Sequence, residues 1–524
     1  VFVNGPRAVR APAEDGAVVA APPLEAVGRL LAENRVRLRQ DGRSLLGRPW
    51  PELQRAARRD AVAAARRYLE RAGEPAPAAD DVSLLMAGHQ PELFHPGVWV
   101  KNFALHGLGR THGLTPLNLV VDNDAVKTTA LRVPARDAVE SPHPHAVSVP
   151  FDRTDGEAPY EERPVRDAAL FGGFADRVMD LLRGWDYTSM LPDFWAEVRR
   201  QAARTPLLGE RFAAARRTFE RRWGCHNLEV PVSALCATAP FAWFACHLLS
   251  ELPRFHATHN ACVHEHRRRY KIKSRHHPVP DLTTDGDWLE APFWGWRAGR
   301  GRRGRLFARV HGERIELRAG GEEWPAVSSR DPAAAWAELE RRGLKVRSRA
   351  LTNTLYARLF LCDLFVHGIG GGKYDELTDE LVRRFYAFEP PAFLVLTATK
   401  LLPLPATPAT ADDCRRLARE LRDAHWNPQR HGAGGDAAAR KREWVARQPT
   451  DEVGRRERFR ALRALNDELR AALGERERQL REELASCVRR VGGNAVLRRR
   501  DYPFCLYPEA ALRPFCTQFL WGRS

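Results

Sequence analysis

No run of about 18 consecutive apolar residues, the length a membrane span needs, occurs anywhere in the 524 residues. No membrane-spanning helix is therefore expected. Val1 to Ala21 lack a basic start followed by a continuous apolar core, so no signal peptide is expected either, and the reading is a cytoplasmic protein. The first residue is Val1 rather than Met, which leaves the true start open. Cys-x-x-Cys pairs are missing as well: the nine cysteines are odd in number and scattered. They are read as reduced, mostly buried thiols in a chain that folds without disulfides. There is no His-Glu-x-x-His, no Gly-x-Gly-x-x-Gly and no Walker loop, so neither a zinc protease nor a standard dinucleotide or nucleoside-triphosphate site is announced.

Charge is plentiful. Lys and Arg number 83 against 66 Asp and Glu, a net +17, which suits a nucleic-acid partner if the cations cluster. Arginine is instead spread through every segment among many Ala, Gly and Pro residues, so a basic solvated surface accounts for it equally well. The sharpest basic run, Arg297 to Arg305, has no interleaved aromatics for stacking bases and reads as a mobile loop. Nucleic acid is kept as an alternative partner that is not favoured. An anionic substrate would also favour positive charge near its site.

The chain is organised around Leu84 to Asp124. An apolar run (Val82 to Ala87) ends in Gly88-His89-Gln90, a helix-like segment carries Lys101, and a second apolar run (Leu117 to Val121) ends in Asp122-Asn123-Asp124. Strand, turn, helix, strand is the reading, and in a parallel α/β sheet the crevice at the carboxyl ends of the strands is where ligands bind. Both polar clusters are expected to face one pocket.

Before that core, apolar spacing of three and four predicts helices over 23–40 and 51–72. After it come short strands at 129–133 and 146–149 around a loop with His143 and His145, helices over 166–222, a strand at 230–234 and a helix over 241–252. Six histidines lie between 254 and 280. Only His256 and His259 have a spacing that could place two ligands on one helix face, so structural or surface roles are favoured and no metal site is expected. The loop Ser274 to Leu282 contains Arg275 and Pro278, with Arg and His side chains able to reach an anion. Residues 306–317 read as a β-hairpin, with Trp288, Trp294 and Trp296 covering the core.

A second stretch with chemistry in it runs from Arg349 and Asn353 to His367-Gly-Ile-Gly370-Gly371-Gly372. Glycines between an apolar segment and a helix at 377–385 suit backbone amides aimed at an anion, or equally a tight turn. A strand follows at 392–399. From 409 the pattern turns to long helices, the last over 451–490 with a heptad-like seam, which must pair with the preceding helices or a second subunit. Tyr502 to Phe519 is an aromatic tail expected to fold back on the core.

Gly88-His89-Gln90 with Leu93-Phe94, Gly97 and Lys101, then Asp122-Asn123-Asp124 after a strand, then Arg349 and Ile369-Gly370-Gly371 resemble, in order and spacing across 82–400, the bacillithiol synthase family, the cysteine-adding enzymes of bacillithiol biosynthesis. The family has Gly-Gln-Gln and Asp-His-Asp where this chain has His89 and Asn123, which marks a divergent branch. The resemblance implies a Rossmann-like core with a parallel sheet and a helical coiled-coil arm often used for dimerisation. The division is then a helical lead-in at 1–81, the core at 82–400, the arm at 401–490 and a tail at 491–524.

The resemblance also implies a ligase joining cysteine, or another amino acid, to an amine-bearing acceptor such as a glucosaminyl-malate. Amide formation needs an oriented amine, a proton acceptor and donors for the developing oxyanion. His89 or Asp122 is assigned the proton, and Lys101, Arg349 and the amides of Gly370, Gly371 and Gly372 are assigned carboxylate or phosphate oxygens. Gly88, Gln90, Asn123, Asp124 and Asn353 complete the binding set. The cofactor is open, with ATP or another nucleotide as the candidate. Two alternatives stand beside this: a nucleotide-dependent transferase on another metabolite, and a basic nucleic-acid-binding protein.

Overall fold

The computed structural model describes residues 9–136, 144–154, 156–274, 276–277 and 279–520. His143, Arg275 and Pro278 lie outside them. The chain is a mixed α/β protein with a mostly parallel six-stranded sheet. Its strands are β1 (Val18–Ala21), β2 (Leu84–His89), β3 (Thr115–Val120), β4 (Leu228–Pro231), β10 (Leu364–His367) and β11 (Leu394–Ala398), in the order β1-β11-β10-β2-β3-β4. The numbers between belong to the second sheet. Only β1 runs antiparallel to its neighbour; the other pairs are parallel.

Burial on both faces is why β2 and its neighbours are mostly apolar rather than alternating. Leu84, Leu85, Met86 and Ala87 are all buried, and so are Leu364 to His367 and Leu394 to Ala398. Helices α1 (Val27–Leu38) and α2 (Trp50–Arg71) cover the sheet, and α3 (Pro96–His112) connects β2 to β3. Pro96 at its first position and Gly113, left-handed at φ 63°, set the ends of α3, as expected of residues that start and stop a helix. Gly97 lets α3 sit on β11: a Cβ there would lie 2.1 Å from the Ala398 carbonyl oxygen. A buried ion network ties helix α4 (Leu208–Arg222) to the sheet edge, with Arg216 and Arg217 each 2.6 Å from Glu229 of β4.

The hairpin expected at 306–317 is part of a larger unit. Strands β5 (Trp288–Arg297), β6 (Gly304–His311), β7 (Arg314–Ala319), β8 (Glu322–Ser328) and β9 (Leu344–Ser348) form a second, antiparallel sheet ordered β8-β7-β6-β5-β9, with a short strand at Thr284–Asp285 beside β5. Its inner face, including Ala291, Phe293, Leu306 and Leu317, joins the core beneath the parallel sheet. The helix α5 (Leu252–Arg269) packs against β5. The basic run at 297–305 is held by carboxylates rather than left loose: Arg297 and Arg300 pair with Glu322, Arg303 with Asp124 and Arg305 with Glu290.

The glycine triplet is not a loop before a helix. Helix α6 (Ile369–Leu381) begins at Ile369 and includes all three glycines in its first turn. The long helix expected over 451–490 is broken at Ala472 and Leu473. Four helices, α7 (Ala411–Trp426), α8 (Asp436–Ala446), α9 (Glu452–Ala471) and α10 (Gly474–Leu497), pack as the pairs α7 with α10 and α8 with α9. A single long coiled coil is not what these residues form. Cys414 of α7 and Cys487 of α10 are joined in a disulfide, with Cα atoms 5.7 Å apart, which corrects the reading of all nine cysteines as thiols. The other seven are free and buried. The segment 502–520 packs on α3, where the Phe504 ring centroid lies 4.3 Å from that of Trp99. No helix among the described residues is long and apolar enough to cross a membrane.

Candidate active site

At the carboxyl ends of β2, β3 and β10 lies a cavity of about 920 Å³. This is the place an open parallel sheet offers to a ligand, because the connecting loops diverge there. Gly88, His89 and Gln90 reach it from the end of β2, Lys101 from α3, Asn123 and Asp124 from the end of β3, Arg349 and Asn353 from the segment after β9, and Gly370 and Gly371 from α6. Ten of the twelve residues singled out from the sequence thus share one pocket.

Two do not reach it. Asp122 turns away from the cavity, accepting hydrogen bonds from the Ser233 amide (2.9 Å) and the Ser233 hydroxyl. Burial and the neighbouring Glu161 raise its pKa to about 7, against the opposing pull of Ser233 and Arg347. Gly372 is buried, and its amide is already donated to the Gly368 carbonyl (2.9 Å). The amides of the first turn that remain for an anion are those of Ile369, Gly370 and Gly371.

The pocket is rich in positive charge. Arg10, Lys101, Arg303, Arg349, Lys373 and Arg500 line it against one lining carboxylate, Asp124. Lys101 is 4% exposed and its Nζ donates only a long bond, 3.4 Å, to the Gly88 carbonyl. It makes no ion pair among the described residues, and burial lowers its pKa to about 8. A buried ammonium without a carboxylate is costly unless an anion joins it. It stands beside the start of α6, where a Cβ on Gly368 would lie 3.9 Å from Nζ. Helix N-terminus and lysine therefore converge on one spot suited to phosphate or carboxylate oxygens.

Histidines form the second group. Burial and Lys101 lower the pKa of His89 to about 3, so it is neutral, with Nδ1 3.2 Å from the Gln90 carbonyl. His95 is neutral too, because burial and Arg500 lower its pKa to about 4, and its Nδ1 is buried with no hydrogen-bond partner. His259 also lines the cavity, its Nδ1 3.1 Å from Asn260 Oδ1, while His256 turns its Nε2 to the Thr283 carbonyl. His367, on the last residue of β10, places Nε2 2.9 Å from Asp375 Oδ2.

The second sheet supplies the far wall. Trp294 carries two guanidiniums, Arg303 at 4.4 Å and Arg349 at 4.6 Å from its ring centroid. Arg349 is paired with the fully buried Glu290 at 2.6 Å. Arg303 is 2.7 Å from Asp124, which also accepts from Gln90 Nε2 at 2.9 Å. Burial would raise the Asp124 pKa, but Arg303 and Gln90 outweigh it and hold it below the usual carboxylate range. Asn123 donates Nδ2 to the Ser348 carbonyl at 2.7 Å and keeps Oδ1 buried with no partner.

Trp294, Arg303, Glu290, His259, His367 and Asp375 were not singled out for the site in the sequence. All six lie more than a hundred residues from Asp124, and Glu290, Trp294 and Arg303 come from a sheet whose pairing no local pattern announced. The one usable signal was His367 itself, directly before the glycine block. No protein-family model matches this chain, and no curated protein matches it.

Proposed function

We propose that the chain is a carbon–nitrogen bond-forming ligase of the bacillithiol-synthase type. It joins the carboxyl of cysteine, or another amino acid, to the amine of a small acceptor such as a glucosaminyl-malate, in a Rossmann-like core. The observation that carries this reading is Lys101, buried without a carboxylate partner beside the free amides that open α6. Such a pair suits oxygens that gain negative charge as the acyl carbon is attacked, or the phosphates of ATP or another nucleotide that activates the carboxyl.

The remaining residues divide the binding work. Arg349, held by Glu290 and stacked on Trp294, offers a planar donor set for a carboxylate. Asn123 Oδ1 lacks a donor and can take an N–H or hydroxyl of the acceptor. His89 is neutral and a weak base, so it serves as a hydrogen-bonding neighbour of the ligand. Asp122 acts from behind the wall by fixing Ser233. The nucleic-acid alternative loses ground because the basic run at 297–305 is spent largely on Glu322, Asp124 and Glu290. Dimerisation through the helices at 411–497 stays part of the proposal, with Val453 and Phe459 exposed there. A cytoplasmic location stays part of the proposal, with seven cysteines free and buried set against the one Cys414–Cys487 disulfide.

A thermal-shift screen against ATP, ADP, cysteine, glucosaminyl-malate and a short oligonucleotide tests it, since a ligand of the folded state raises the melting temperature. A shift with nucleotide or thiol precursor that Lys101→Met or Arg349→Ala abolishes is the expected result. A shift with the oligonucleotide alone, vanishing as salt rises, would replace the ligase by a nucleic-acid-binding function.

A further inference from the structure

We propose that His367, aligned by Asp375, is the proton acceptor of this pocket. The inference rests on the ligase reading for its chemistry and on the geometry of a buried His–Asp pair for its place.

His367 ends β10 at the cavity floor, next to the anion-suited start of α6. Its Nε2 lies 2.9 Å from Asp375 Oδ2, and the same carboxylate oxygen is 2.6 Å from Arg358 Nη1. Asp375 is fully buried; burial alone would raise its pKa, but Arg358 and His367 hold it well below the usual range, so it is ionised. An ionised acceptor fixes the proton of a neutral imidazole on Nε2 and leaves Nδ1 with its lone pair. Nδ1 makes no hydrogen bond among the described residues. It faces Gly371, where a Cβ would lie 2.6 Å away. The missing methyl leaves space at the lone pair.

The contrast with His89 decides between the two histidines. His89 has Lys101 and Lys127 as charged neighbours, and its nearest carboxylate, Glu92, is 3.8 Å away. A proton arriving there meets positive charge. A proton arriving on His367 makes an imidazolium in contact with Asp375, which stabilises it. The groups facing His367 are Asp375 from α6, Arg358 from the turn after the helix Ala350–Tyr356, and Lys101 from α3. Burial and the two cations lower its pKa; Asp375 opposes them.

In the proposed step the acceptor amine attacks the carbonyl carbon of an acyl phosphate of the amino acid. The C–N bond forms, the C–O bond to phosphate breaks, and phosphate leaves with the electron pair. The amine proton passes to His367 Nδ1. Carbonyl and phosphate oxygens rest on Lys101 and the amides of Gly370 and Gly371, which places the reacting nitrogen on the side where Nδ1 is open.

Two readouts test this. The first needs no substrate: diethyl pyrocarbonate labelling of the full chain, mapped by peptide mass, with inorganic pyrophosphate as the protecting anion. Label at His367, suppressed by pyrophosphate, is expected. An unlabelled His367 beside a labelled His89 overturns the assignment. The second uses amide formation. His367→Gln should lower kcat by roughly 100-fold or more, the range for a lost general base, with KM within about threefold. Asp375→Asn should move the acid limb of the kcat profile to lower pH, because the imidazolium loses its counter-charge. A folded His367→Gln within about fivefold of wild-type kcat, or an unmoved limb in Asp375→Asn, overturns it. If either variant fails to fold, the labelling of the wild-type chain decides. If the wild-type chain forms no amide, the ligase reading fails by itself and the labelling still decides whether His367 is the pocket's base.

Discussion

Arg303 of the loop before β6 reaches Asp124 at the end of β3, with 2.7 Å between Nη2 and Oδ1. The pair joins the two sheets at the cavity wall, and its side chains are only 17% and 20% exposed. The Arg303 Nη1 also donates to the Asn123 carbonyl at 3.0 Å. One guanidinium thus braces both of the polar residues that follow Asp122, with Trp294 as its backing.

Replacing it, Arg303→Ala, should destabilise the fold at neutral pH by about 1–2 kcal/mol, the cost of leaving part-buried acceptors without their donor. Asp124 has a lowered pKa in the fold, so the stability this pair contributes is present above the ordinary carboxylate value and is lost as pH falls through the folded one. Denaturant curves of both proteins at pH 7 and below pH 3 should therefore show a gap that closes in acid.

Lys101→Met is expected to make the protein more stable and less able to bind. Burial disfavours the ammonium, and a methionine of similar volume removes that cost, a gain on the order of 2 kcal/mol at neutral pH. The folded lysine releases its proton near pH 8 and the unfolded one near 10.5, so wild-type stability should rise with pH between these values and the variant's should not. Melting temperatures from pH 7 to 10 check the slope. Pyrophosphate protection should weaken above about pH 8 in the wild type and be missing from the variant.

Asp122→Asn separates a wall residue from a reacting one. The folded carboxyl holds its proton up to about pH 7, whereas the ordinary value is 3.8. Wild-type stability should fall as pH rises through that window and stay at the lower level above it. The asparagine variant should lack the fall, seen by denaturant titration at pH 4 and pH 8. Loss of more than about a hundredfold in kcat with the fold intact would put Asp122 back among the reacting groups.

The glycine block should divide sharply. A Cβ at Gly370 meets nothing within 4 Å, whereas one at Gly371 would strike His367 Nδ1 at 2.6 Å. Gly370→Ala should be neutral or stabilise α6 by up to about 1 kcal/mol. Gly371→Ala should destabilise by about 1–3 kcal/mol as the ring is forced aside. Thermal unfolding of the two variants, side by side, is the measurement.

Much of the parallel core was legible because it is local. The runs Leu84 to Ala87 and Leu117 to Val120 are buried on both faces and are apolar except for Asn118, whose amide is satisfied by Glu229 at 2.6 Å, while Pro96 and Gly113 mark the ends of α3 by their backbone preferences. Polar residues at strand ends then had one place to go. What failed was equally physical. The break at Ala472 and Leu473 sits inside a continuous helical pattern, where tertiary pairing of α7 with α10 outweighs periodicity. The glycines of α6 are poor helix formers that join it because Gly371 must fit against His367.

The sequence by itself determined the mixed α/β class, four of the six strands of the mostly parallel sheet and most of the residues gathered at their ends, since periodicity, caps and burial act within a few residues of each other. Tertiary structure alone decided that a second sheet brings Trp294, Arg303 and Arg349 across the pocket and that Asp122 turns to Ser233 instead. Those pairings depend on which distant segments share a boundary, and a hydrogen bond or ion pair across more than a hundred residues leaves no local pattern to read.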